Sequence, residues 1–178
     1  STSGADLNLN TTTISVGGAQ YLASGAAAAA LDIVGVIGDR GAGNFQLTKD
    51  GGGTLIFSGA NTYGGLTEVA SGVLTVNNKD ALGVFRPGAD ITAQGGTRVN
   101  AGATLQMQED LEAEPILLNG HGVAPGLNGH NVGALRNVSG NNIYTGVLTL
   151  GSDATIGVDS GSQLTIGTSP SLQGTGSI

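Results

Sequence analysis

Apolar and polar residues alternate along this chain in short runs of about four residues, the length of a small half-buried strand. Leu55 and Phe57, Thr67 and Val69, and Leu74 and Val76 each set two side chains on one face, because successive strand residues point to opposite faces. The pattern is most regular near the C-terminus, where Leu148 with Leu150, Ile156 with Val158 and Leu164 with Ile166 recur every eight residues. Leu7 with Leu9, Ile14 with Val16, Val99, Leu105 with Met107, and Ile116 with Leu118 extend it. Gly, Ser and Asn separate the runs. Three strands with glycine corners make one coil, and coils stack to bury a shared core. The expectation is an all-β chain forming a single-stranded parallel β-helix, or β-solenoid, with coils of about 24 residues. The 178 residues then give about seven coils and, at a strand spacing of ~4.8 Å, a rod ~35 Å long.

The stretch Ala26 to Val36 is open between two elements. Five consecutive alanines suit a helix, yet Ile33 and Val34 follow and no amphipathic face continues, so a strand with small inward residues is preferred. Arg86-Pro-Gly88 reads as a turn. Asn61, Asn77, Asn78, Asn119, Asn137 and Asn142 are candidates for turn or ladder positions.

Composition narrows the core. With 33 glycines, 3% aromatic and 11% charged residues, the interior must be a narrow column of Leu, Ile, Val and Ala. A 39% hydrophobic share and phased Leu/Val pairs argue against a flexible linker array. Net charge is −7, and Arg40, Lys49, Lys79, Arg86, Arg98 and Arg136 are scattered, so no basic stripe is available for nucleic acid. Cysteine is absent, which fits an aliphatic core that needs none and equally a chain threaded unfolded through an envelope. The chain starts Ser1-Thr-Ser-Gly with strand-like sequence near both ends, and it reads as one uncapped segment, 1–178, of a longer protein.

One stretch carries a specific motif. It runs Leu47-Thr-Lys-x-Gly-x-Gly-Thr-Leu-x-x-Ser-Gly-x-Asn-Thr-Tyr-x-Gly-x-Thr-x-Val-x-x-Gly-x-Leu-x-Val and ends in Ala81-Leu-Gly83. Its positions are Lys49, Gly51, Gly53, Thr54, Leu55, Ser58, Gly59, Asn61, Thr62, Tyr63, Gly65, Thr67, Val69, Gly72, Leu74 and Val76. This resembles the passenger-associated transport repeat, also called the autotransporter-associated β-strand repeat, across residues 31–83. A diverged second copy is expected over 133–167, where Ser139, Gly140, Asn142, Tyr144 and Gly146 repeat the Ser-Gly-x-Asn-x-Tyr-x-Gly core. It has Ile143 in place of Thr62 and lacks the preceding Lys-x-Gly-x-Gly-Thr-Leu. The resemblance implies a right-handed parallel β-helix in a secreted or bacterial cell-surface passenger, with no cofactor and no catalytic residues. It also implies neighbouring coils of the same polypeptide as partners, together with a C-terminal outer-membrane β-barrel.

Other chemistry is thin. His121 and His130 stand in near-identical Leu-Asn-Gly-His contexts, but two imidazoles fall short of the usual three or four zinc ligands, and a local duplication explains them. Glu109, Asp110, Glu112 and Glu114 could hold calcium or supply acid-base groups, yet the expected reading is a solvated loop that keeps an edge from pairing. A β-helix polysaccharide lyase or hydrolase is the enzymatic rival. Against it, the aspartates are scattered singly, Trp is absent, and Tyr63 and Tyr144 occupy equivalent, structural-looking positions. An adhesin, or a filament subunit joining end to end through open strands, is the other alternative.

Overall fold

The computed structural model describes residues 7–8, 12–15, 30–38, 46–84, 95–124, 133–167, 172–174 and 177. Ile14 lies within these at backbone level. Leu9, Val16, Ala26 to Ala29, the Arg86-Pro-Gly88 turn and His130 lie outside them. The described residues contain strands and no helix, and all the strand pairs are parallel. The chain is a parallel β-solenoid.

One sheet stacks β2 (Thr12–Ser15), β5 (Leu47–Asp50), β7 (Thr67–Val69), β9 (Thr97–Val99), β11 (Ile116–Gly120), β14 (Leu148–Ala154) and β17 (Leu172–Gly174). A second stacks β3 (Ala30–Ile33), β6 (Thr54–Phe57), β8 (Gly72–Val76), β10 (Ala103–Met107), β12 (Leu135–Asn137) and β15 (Ile156–Val158). The third side is less regular. It pairs β1 (Leu7–Asn8) with β4 (Ile37–Gly38) and β13 (Asn141–Tyr144) with β16 (Gln163–Ile166). Single backbone bonds continue it, including Thr62 N–H to Ile37 O and Val84 N–H to Tyr63 O. Ala30–Ile33 settles the alanine-rich stretch as strand where it is described.

Register explains the core. In the second sheet Leu31, Leu55, Leu74, Leu105, Leu135 and Ile156 fall in one column. Ile33, Phe57, Val76, Met107 and Asn137 fill the other inward column, which ends in register with Val158. The predicted pairs Leu55/Phe57, Thr67/Val69, Leu74/Val76, Leu105/Met107, Ile116/Leu118 and Leu148/Leu150 are buried. Ile156 and Leu164 pack against this core, whereas Val158 and Ile166 are exposed.

The coils are not of one length. Leu148 pairs with Leu172, as the eight-residue spacing predicts. Elsewhere short steps (Leu47 to Thr67, Thr97 to Ile116) alternate with long ones (Thr12 to Leu47, Thr67 to Thr97, Ile116 to Leu148). Register depends only on which strands meet, so extra residues collect at corners. One of these corners folds back over the outside of the second sheet. Val123 N–H donates to Thr104 Oγ1, and that hydroxyl donates to Gly133 O, leaving Thr104 and Val123 buried on a face that alternation assigns to solvent.

Candidate functional site

The motif residues concentrate where coils turn. Lys49 pairs in register with Ile14 and Val69, so its side chain starts from an inward position in an aliphatic column. Its stem is buried there, and its Nζ reaches the corner to donate to the carbonyls of Asp50 (3.0 Å), Gly51 (2.6 Å) and Ser71 (2.9 Å). Three donors therefore meet three acceptors. Burial lowers the Lys49 pKa to about 8, partly offset by the Asp50 charge, so the amine keeps its proton at neutral pH. Asp50 closes the same corner, accepting from Gly51 N–H and Ser71 Oγ. Those bonds hold its carboxyl below the usual range. Gly72 has φ +68°, and a Cβ there would collide with the Gly51 carbonyl and lie 2.6 Å from the Gly53 oxygen. Only glycine fits.

On the third side Asn61 joins three coils. Its Oδ1 accepts from Ile37 N–H at 2.8 Å and its Nδ2 donates to Ala81 O at 2.5 Å, so it stands in for a strand bond on both edges. Tyr63 fills the corner beside it, fully buried, with its hydroxyl 2.7 Å from Thr67 Oγ1. Gly59 is pressed against the Gly35 carbonyl of the preceding coil. Leu55, Val69, Leu74 and Val76 face the core, while Thr62 is exposed. Gly53 and Gly65 are buried, and Thr54 and Ser58 half-buried, with the Ser58 hydroxyl donating to Asp32.

In residues 133–167 the step from the second sheet back to the first, Leu135 to Leu148, is one residue longer than the step from Leu55 to Thr67. Leu135 shares the inward column of Leu55, and Leu148 shares the column of Thr67. A gapless alignment on Ser139 would instead set Leu135 opposite Thr54, so the extra residue lies between Asn137 and Tyr144. Asn137 thus takes the inward place of Phe57. Its amide is satisfied: Asn142 Nδ2 donates to Asn137 Oδ1 at 2.7 Å, and Asn137 Nδ2 donates to Gly140 O and Gln163 O. Asn142 therefore works within its corner, bonding Ser139 O as well, and does not bridge coils as Asn61 does. Tyr144 is buried like Tyr63. With Leu148 in place of Thr67, its hydroxyl donates to the Glu114 and Val147 carbonyls at 2.6 and 2.9 Å. Gly146 lies against the Glu114 carbonyl, where any Cβ would collide.

The acidic cluster departs from the expectation of a solvated loop. Glu109 and Glu112 are exposed, and Asp110 accepts from Ile143 N–H at 2.7 Å. Glu114, however, is only 5% exposed and accepts from Thr97 Oγ1 at 2.7 Å. Its backbone is at the corner before β11, which turns the side chain inward. Burial pushes its pKa up to about 7, against the lowering effect of the Thr97 bond. A Glu immediately before Pro115 and an inward Ile116 was the available signal. The other asparagines serve corners: Asn119 donates to Val99 O, and Asn78 bonds Ser58 O and Asp80 N–H. His121 lies 2.9 Å from Thr155 Oγ1 through its Nδ1. Among the described residues no three His, Cys, Asp or Glu side chains gather as a metal group.

The passenger-associated-transport-repeat family matches residues 47–76, the stretch from β5 through β8. A 54-residue part of the chain is 43% identical to an adhesin, the BmaC autotransporter of Brucella suis biovar 1 (strain 1330). That likeness covers 30% of this chain and 2% of the adhesin, so the chain spans a small fraction of its relative's length. No solved structure matches. Both likenesses are to passenger-type autotransporter sequence. The Lys49 and Asn61 corners thus lie inside the stretch, residues 47–76, that matches the passenger-associated transport repeat.

Proposed function

We propose that the chain is a non-catalytic, load-carrying stretch of a longer surface-exposed passenger, helping that passenger to cross the outer membrane and then serving as a rigid spacer. The observation that carries this reading is the coincidence of the family match, residues 47–76, with strands β5 to β8 whose contacts are made between consecutive coils. A solenoid folds by adding one coil to the last, without long-range pairing across the chain. Each coil that emerges outside therefore docks on its predecessor and opposes backward sliding. Burial of a few aliphatic side chains at about 25 cal/mol per Å² supplies the bias without ATP. The partner in this scheme is an outer-membrane β-barrel C-terminal in the same polypeptide, and the destination is the cell surface or medium. The motif corners, including a second copy over 133–167, are structural parts of this device. Deleting 45–83 from the full protein is expected to reduce surface display while barrel insertion persists. Unchanged display would leave the segment a passive stalk.

The name of the Brucella relative favours adhesion as the second reading. Binding of the purified chain to host cells or matrix proteins tests it directly. End-to-end assembly is tested by electron microscopy, in which fibres with a ~4.8 Å axial repeat would separate polymer from single rods. Turnover of acidic polysaccharides abolished by changing one aspartate would restore the lyase alternative.

A further inference from the structure

Glu114 has an unusual position for a carboxyl group. From β9 it receives the Thr97 hydroxyl, and among the described residues no Lys or Arg forms an ion pair with it. From the stretch before β7 it faces the Tyr63 phenol, and from β13 the Tyr144 phenol; burial first, and then the Glu114 charge, push the titration of both upward. Neither phenol is hydrogen-bonded to its carboxyl group. Tyr144 is engaged by the Glu114 and Val147 carbonyls, and Tyr63 by the Thr67 hydroxyl on β7. A carboxylate here would be a buried charge with one neutral donor, whereas the neutral acid fits with the same Thr97 contact.

We infer that the Glu114 corner is a pH-sensitive joint: with its proton on, the carboxyl rests inside the solenoid, and with its proton off, a lone charge loosens the packing of the coils that carry Thr97 and Tyr144. Burial supports this by raising the Glu114 pKa to about 7 from 4.5. A raised acid pKa in the folded state gives stability that is complete below the unfolded value and lost as pH rises through the folded one. Between pH 5 and pH 8 the folding equilibrium constant should fall by roughly 70-fold from this group alone.

The test is urea unfolding of the chain, followed by circular dichroism from pH 5 to pH 8, beside Glu114→Gln, which keeps the shape and the acceptor for Thr97. The expected result is a midpoint that falls with pH in the parent and is flatter, and higher at pH 8, in the variant. Parallel profiles overturn the inference. Should Glu114→Gln fail to fold, carbon-13 NMR of the Glu-labelled parent decides. One carboxyl titrating near 7 supports the joint, and all of them titrating near about 4.3, the ordinary value, overturns it.

Discussion

Lys49 and Glu114 are both charged residues turned toward the solenoid interior, and they resolve that conflict in opposite ways. Lys49 carries its amine along a long stem to a corner where three carbonyls wait. Glu114 has a shorter reach and finds one hydroxyl. The first corner satisfies a charge and in return pins two coils together, since Ser71 lies one coil beyond Asp50 and Gly51. The second tolerates an ionisable group only by suppressing its charge. Inward register does not determine what a polar residue does. The number of partners within reach determines it.

Substitutions can break this contrast, beginning where the backbone itself is at stake. Gly72→Val should abolish cooperative folding or cost more than roughly 3 kcal/mol, because it adds left-handed strain to a collision with the Gly53 carbonyl and with the Gly51 carbonyl that holds Lys49. Unfolding in urea measures it, and parental stability would show that the carbonyl cage can yield. Lys49→Met keeps the stem but leaves carbonyls without a donor, an expected loss of roughly 3 kcal/mol. The same variant should remove an alkaline trend. A lysine pKa lowered in the folded state favours the neutral amine, so stability rises as pH climbs from about 8 toward 10.5. Glu114→Gln should act oppositely, adding about 2.5 kcal/mol more at pH 8 than at pH 5. Together the two corners predict a parent least stable near pH 7 to 8, which a melting series from pH 5 to 10 checks. Asn61→Ala should cost about 2 kcal/mol, because it strands Ile37 N–H and Ala81 O on neighbouring coils. Asn142→Ala should cost less, its bonds being confined to one corner. Tyr63→Phe is the mildest, about 1 kcal/mol, since it removes one hydroxyl partner of Thr67 and keeps the ring.

Much of this was legible in advance. Alternation of period two marks Leu55, Phe57, Leu74 and Val76 as inward because nothing overrides it there. The motif spacing brings forward Lys49, Gly72, Asn61 and Tyr63. Their roles were not legible, because a bond from Lys49 to Ser71 or from Asn61 to Ala81 depends on inter-coil register. Uniform coils were the wrong extrapolation, since a spacing read between Leu148 and Leu172 carries no information on corners elsewhere. Counting Glu114 with its three acidic neighbours hid it, because charge clustering ignores which way a corner turns. Asn137 reads from the sequence as a turn or ladder asparagine, and its inward place is hidden for a related reason: one inserted residue exchanges inward and outward positions relative to the first motif.

The unequal coil lengths have a consequence for change over time and for engineering. Strands stay parallel whether a step is short, as from Thr97 to Ile116, or long, as from Ile116 to Leu148, where the register shifts only past Leu118. A length change at a corner therefore bears chiefly a loop-closure term, about 0.6 kcal/mol for each doubling. The strands are constrained by those above and below, but the corners are open to graft. A foreign epitope placed beyond the exposed Val84, within the long step from Thr67 to Thr97, would be presented from a scaffold that scarcely registers its arrival.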